Sequence, residues 1–115
     1  MQVIDSTNAE HYQWGIVCDG WRFLDLPHLS VIQERVPPSA GETEHSHSQA
    51  HQLFYVLSGT GTLEVGGTSV SFTSGQGIHI PPGTRHRFAN HSDQDVVFLV
   101  ISAPSTRGDR TDVRG

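Results

Sequence analysis

The chain has 115 residues and a formal charge of −5, with no lysine and all its positive charge on scattered arginines. That balance argues against a phosphate-binding surface and so against nucleic acid as a partner. The single cysteine, Cys18, excludes an internal disulfide framework and a cysteine-paired zinc site, and no apolar run reaches the ~18 residues of a membrane span.

With 12 Gly and 6 Pro and few helix formers, the chain reads as one all-β domain of short strands and turns, long enough for a single packed core. Residues 1–12 are polar and expected to be loose. The opening MQVIDSTNAE has neither a basic start nor an apolar run, so a soluble, cytoplasmic protein is expected. Trp14, Ile16, Val17, Trp21, Phe23 and Leu24 then give residues 1–30 the character of an apolar arm. Such an arm needs cover, either from the main β unit over 31–104 or from a second copy, and a homodimer is expected. Cys18 reads as a small buried hydrophobe.

LSVIQERV is a strand by its Ile and Val content, ended by Pro37-Pro38 because proline lacks the donor that a ladder needs. Leu53 to Leu57 is apolar at every position, the pattern of a strand covered on both faces. TGTLEVGGTSVSF holds two alternating strands around Gly66-Gly67, a two-residue hairpin turn. GIHIPPG leads into His86, DVVFLVIS is the last buried strand, and the tail over 105–115 is polar and expected to be loose beyond about Asp109.

The chemistry gathers at His45-Ser-His47, Gln52 and His86. Imidazoles at i and i+2 on an extended segment point to one side, and the turn in Pro-Pro-Gly-Thr-Arg-His86 aims a third at the start of a strand. These read as a site of three histidines and one amide. Parity leaves one alternative: on an unbroken strand His51, and not Gln52, shares a face with His45 and His47. His11, His28 and His91 are expected in exposed loops, while His79 can point inward or outward. Asn90 reads as a turn former. Glu34, Glu44 and Arg87 are candidates for a pocket rim, and Phe54, Val56, Phe88 and Phe98 for the core.

The residues around this site resemble the two motifs of the cupin superfamily. The first runs from Gly41 through His45, His47 and Gln52 to Gly59 in QLFYVLSG. The second runs from Gly75 through Pro81, Gly83 and His86 to Asn90. The flanking LSVIQERVPP and VVFLVISAPSTRGDR are similar to short, single-domain bacterial cupins of the conserved-barrel type. The resemblance implies a double-stranded β-helix, a jelly-roll barrel, that binds one divalent transition metal ion per chain through His45, His47, Gln52 and His86. Zn, Ni, Mn, Fe and Cu all suit such a set. Gln52 stands where most cupins carry Glu, and Gly41 to His45 is shorter than their usual opening. With no anionic ligand the ion keeps its full charge, which acidifies a bound water and weakens ion binding. Two classes of function follow by resemblance. One is an enzyme acting on a small polar molecule, such as a sugar acid, by metal-assisted isomerisation or oxygenation; the other is a non-catalytic, metal-dependent binding or sensing module.

Overall fold

The computed structural model describes residues 1–113. Its strands, in chain order, are β1 (Glu10–Trp14), β2 (Cys18–Leu26), β3 (Leu29–Val36), β4 (His45–Ser46), β5 (His51–Ser58), β6 (Thr60–Val65), β7 (Thr68–Thr73), β8 (Gly77–Ile80), β9 (His86–Ala89), β10 (Val96–Ala103) and β11 (Thr111–Asp112). They form two antiparallel sheets, one in the order β1-β2-β3-β10-β5-β8 and the other β11-β4-β9-β6-β7. Among the described residues no helix is long and apolar enough to cross a membrane.

Alternation along the strands decides which residues fill the space between the sheets. In β5, Gln52, Phe54 and Val56 are buried while His51, Leu53, Tyr55 and Leu57 are exposed. The expectation that Leu53 to Leu57 is covered on both faces therefore fails, because β5 has a core on one side only. Phe54, Phe88 and Phe98 are fully buried at the centre, with the Phe88 and Phe98 rings stacked at 3.9 Å between centroids. Cys18 closes this cluster from the β2 side, as expected of a buried hydrophobe.

The hairpin around Gly66-Gly67 forms as the sequence predicts. Val65 pairs with Thr68, and both glycines adopt positive φ (57° and 81°), the conformation that a primed turn requires at its two central positions. Asn90 is a turn former too, though a buried one. Its amide donates to the carbonyls of Val36 (2.9 Å) and Gln94 (2.7 Å), and its oxygen accepts from the Ser92 backbone amide (2.9 Å).

The two ends of the chain differ most from the sequence reading. β1 and β2 join the six-stranded sheet through antiparallel pairing of β2 with β3, and Trp14 packs against the core cluster. At the other end the tail is ordered past Asp109: β11 pairs with β4, Thr111 opposite Ser46 and Asp112 opposite His45. The expectation of looseness there fails over 109–113, because backbone pairing and side-chain anchors hold the segment. The last two residues of the tail lie outside the described residues.

Candidate metal centre

His45 and His86 are direct cross-strand partners on β4 and β9, which brings their rings to 4.4 Å between centroids. His47, two residues beyond His45, returns to the same side, 5.0 Å from the His45 ring and 5.7 Å from that of His86. One ring nitrogen from each lies within 4.8 Å of the others, and all three side chains are buried. Gln52 reaches in from β5 on the opposite sheet and is only 6% exposed. His51 points outward, where its ring stacks on His79 with 3.0 Å between Nδ1 and Nε2. The choice of parity is thus resolved with Gln52 inward, and His79 outward.

Each buried imidazole has its tautomer set by a backbone carbonyl. Nδ1–H of His45 donates to Thr43 (2.6 Å), that of His47 to Asp109 (2.6 Å) and that of His86 to Thr84 (2.9 Å). Every Nε2 is left as a lone-pair donor, which is how ligating histidines are oriented in metal sites. Burial lowers the pKa of all three, that of His45 to about 4, so they stay neutral. Gln52 Nε2 donates to Ser102 Oγ at 3.1 Å. Its Oε1, like Nε2 of His47 and of His86, is buried with no hydrogen-bond partner among the described residues. Orphaned buried acceptors cost free energy unless something occupies their lone pairs. A cation held by the clustered histidine nitrogens would satisfy them, so this cluster fits a divalent transition metal ion of the kind that accepts neutral nitrogen ligands.

The site opens into a cavity of about 240 Å³ lined by His45, His47 and Gln52 together with Tyr12, Trp14, Arg22, Glu34, Glu42, Ser102 and Arg110. Glu34 comes from β3, and its Oε2 is sealed and unpartnered. Burial and then the neighbouring Glu42 raise its pKa well above the carboxylate range. Glu42 accepts from the Phe88 amide (3.0 Å), lies 3.8 Å from His45 Nε2, and is pushed up to about 7 by burial. Tyr12 lies across Gly20, where a Cβ would come within 2.3 Å of the ring, so this glycine makes room for the phenol. Burial, then Glu34, raises the Tyr12 pKa, and the hydroxyl stays protonated.

Of the rim candidates read from sequence, Glu34 alone lines this cavity. Glu44 does not; its carbonyl accepts from the Val113 amide instead, and Glu42 takes the place beside the histidines. Arg87 pairs with Glu64 at 3.2 Å. His11 sits on β1 and not in a loop, 2.7 Å from Asp19, while His28 and His91 are exposed as expected. Sequence reading missed Tyr12, Glu42 and Arg110. Tyr12 and Trp14 had a signal in their i, i+2 spacing, and Glu42 in its place beside the motif glycine. Arg110 had none.

Residues 32–102 match the profile of the Cupin_2 family, a cupin domain. Among curated proteins, the polyketide synthase CurC of Streptomyces cyaneus is 31% identical over 67 residues, 58% of this chain and 44% of that protein, so the chain spans under half of its length. Among solved structures, KdgF from a Halomonas species superposes with a TM-score of 0.83 at 17% identity, over 93% of this chain and 98% of that one. The polyketide cyclase RemF of Streptomyces resistomycificus gives 0.82 at 23% identity, over 100% and 87%. Two sheets in jelly-roll order, a three-histidine cluster on and beside two neighbouring strands and a profile match over most of the chain lead to one conclusion: this protein belongs to the cupin family.

Proposed function

We propose that this cupin is a metal-dependent enzyme that moves protons on a small, oxygen-rich carbonyl compound, the outcome being isomerisation of a hydroxy-carbonyl or keto-acid substrate. The carrying observation is the pair Glu34 and Glu42 in the same cavity as His45, His47 and Gln52. His45, His47, His86 and Gln52 would hold the ion, and a divalent ion bound there supplies Lewis-acid polarisation of a substrate oxygen. Glu42, pushed up to about 7, is placed to take a proton from one position of the substrate, and Glu34, whose burial keeps its carboxyl protonated, to give one at another. The Tyr12 hydroxyl donates to a substrate oxygen. Arg22, whose guanidinium carbon lies 4.2 Å from the centroid of the Tyr12 ring, and Arg110 supply positive charge for an anionic substituent such as a carboxylate.

The size of the cavity bears on the substrate. At about 240 Å³ it falls below the ~300 Å³ lower bound of pockets for drug-sized ligands, which favours a sugar acid or short keto acid over a multi-ring polyketide. Proton transfer beside a carbonyl also begins a cyclisation, so the polyketide cyclase RemF, by its name, supports the same elementary chemistry. The protein is further read as acting in the cytoplasm and as a homodimer. β1 is an edge strand, and Ile16 at its turn is 94% exposed, an apolar tip that a second copy would cover.

The test is to incubate the protein, loaded in turn with Zn, Ni, Mn, Fe or Cu, with unsaturated uronates, hydroxy ketones and keto acids in D2O, and to read carbon-bound deuterium by NMR. Deuterium uptake that falls by about 10²-fold or more in Glu34→Gln, with metal content unchanged, is expected. Uptake equal in the variant and the parent would overturn the role of Glu34, and no uptake with any metal would overturn the proton-transfer reading.

A further inference from the structure

The segment that contributes Arg110 also touches the metal centre in a way that neither motif anticipates. Asp109 sits half-buried between Thr106 and β11. One carboxylate oxygen accepts from the backbone amide (2.7 Å) and hydroxyl (2.6 Å) of Ser48, and the other accepts from the amides of Gln49 and Ala50 (3.0 Å each). The backbone carbonyl of the same residue accepts Nδ1–H of His47 at 2.6 Å. A single residue therefore bonds to every residue of the turn between His47 and β5, whose start is also held by the Gly83 amide donating to the His47 carbonyl (2.7 Å).

That turn decides two things at once. It breaks the strand between His47 and His51, which is what brings Gln52 inward and sends His51 out. It also fixes the rotation of the His47 ring. The segment carrying Asp109 is anchored on both sheets. Ser105 N–H donates to the Pro27 carbonyl (3.0 Å) and Arg107 pairs with Asp25 (2.5 Å) at the β2–β3 end, while β11 pairs with β4 and Val113 N–H donates to Glu44 (2.9 Å) at the other.

We propose that Asp109 is a positioning residue of the metal centre: by gripping residues 48–50 and His47 together it sets the directions of His47 and Gln52, so that docking of residues 106–113 and binding of the ion are coupled. Coupling is reciprocal. The ion, held by His47, stabilises the docked strap, and the docked strap raises affinity for the ion. Outer-shell partners of metal ligands change affinity by about 10–100-fold when lost, and Asp109 holds the surroundings of two ligands.

The inference rests on the metal reading above, and the experiment separates the two. Co²⁺ is titrated into metal-free wild type, Asp109→Ala and Asp109→Asn by calorimetry. In the same metal-free proteins the tautomer of His47 is read from ¹⁵N histidine spectra. Tryptic cleavage after Arg107 and Arg110 is followed in wild type with and without Co²⁺. Expected are a 10–100-fold loss of Co²⁺ affinity in Asp109→Ala and a smaller loss in Asp109→Asn, which keeps one acceptor oxygen. His47 should be protonated at Nδ1 alone in wild type and a mixture of tautomers in Asp109→Ala. Co²⁺ should slow cleavage of wild type at both arginines, a readout that survives even if a variant fails to fold. A wild type that binds Co²⁺ while Asp109→Ala binds it equally well, or whose cleavage is indifferent to Co²⁺, overturns the role of Asp109 alone. A wild type that binds no Co²⁺ overturns the metal reading and the coupling with it.

Discussion

Gln52 and Ser102 are cross-strand partners on β5 and β10, and the hydroxyl of Ser102 accepts from the Gln52 amide at 3.1 Å, which leaves the amide oxygen as the buried end without a hydrogen-bond partner among the described residues. An amide has a donor end and an acceptor end, and only the latter suits a cation. Ser102→Ala should therefore weaken metal binding by several-fold while leaving the fold intact. Gln52→Glu should tighten it by about tenfold or more, since it adds an anionic ligand. Competition against a chromogenic chelator measures both. Unchanged affinity in Gln52→Glu would mean that this side chain does not meet the ion.

The histidines themselves should be indispensable. His47→Ala and His86→Ala each remove one of three clustered nitrogens and should abolish binding at micromolar metal, with circular dichroism unaltered. One tight site persisting in either variant by calorimetry would disprove the constellation.

In the core, Phe88 and Phe98 stack on each other with no exposed surface. Truncating either to Ala removes a full aromatic ring from a place that cannot collapse, and should cost roughly 3–5 kcal/mol in urea unfolding. A loss under 1 kcal/mol would show that the sheets close over the gap.

Acid sensitivity should report on Asp19. It accepts from His11 at 2.7 Å and from Arg35 at 2.8 Å, joining β1, β2 and β3. Burial pushes its pKa up, but those bonds and the charge on Arg35 outweigh it and hold the carboxyl below its ordinary range. A carboxyl with a depressed folded pKa contributes stability that is fully present above the unfolded value of about 3.9 and is lost as pH falls through the folded value. The stability advantage of wild type over Asp19→Asn should be constant above about pH 5 and shrink below about pH 4. An advantage that does not change with pH would refute this.

Association should be sensitive to the β1–β2 turn. Ile16→Asp places a charge on its most exposed apolar residue, and light scattering should show a dimer in wild type and a monomer in the variant. A dimeric variant would move the interface elsewhere, and a monomeric wild type would dismiss it.

The all-β class, the Gly66-Gly67 hairpin and the three histidines were legible because each rests on local rules: alternation, a turn that needs positive φ, and side chains at i and i+2. Gln52 was legible only through the motif. Parity alone favours His51, and the residue that overrules parity, Asp109, lies far along the chain in an irregular segment that has no period. Arg110 was hidden for the same reason. Glu44 looked equivalent to Glu42 in sequence, but the backbone around Gly41, bridged to Ala89, gives the place beside His45 to Glu42. The even apolarity of Leu53 to Leu57 misled because composition does not say which side of a strand has a neighbour.

The candidate ligands do not come from one sheet. His45 and His86 stand on β4 and β9, while Gln52 stands on β5 across the sandwich. An ion shared among them would act as a rivet between two layers that are otherwise joined by side-chain packing and loops. Separating the layers would then require giving up the ion, so resistance to heat and denaturant becomes a function of free metal concentration, by about 2.7 kcal/mol at a hundred times the dissociation constant. On the proposed function, loss of the ion would then take away rigidity and chemistry together.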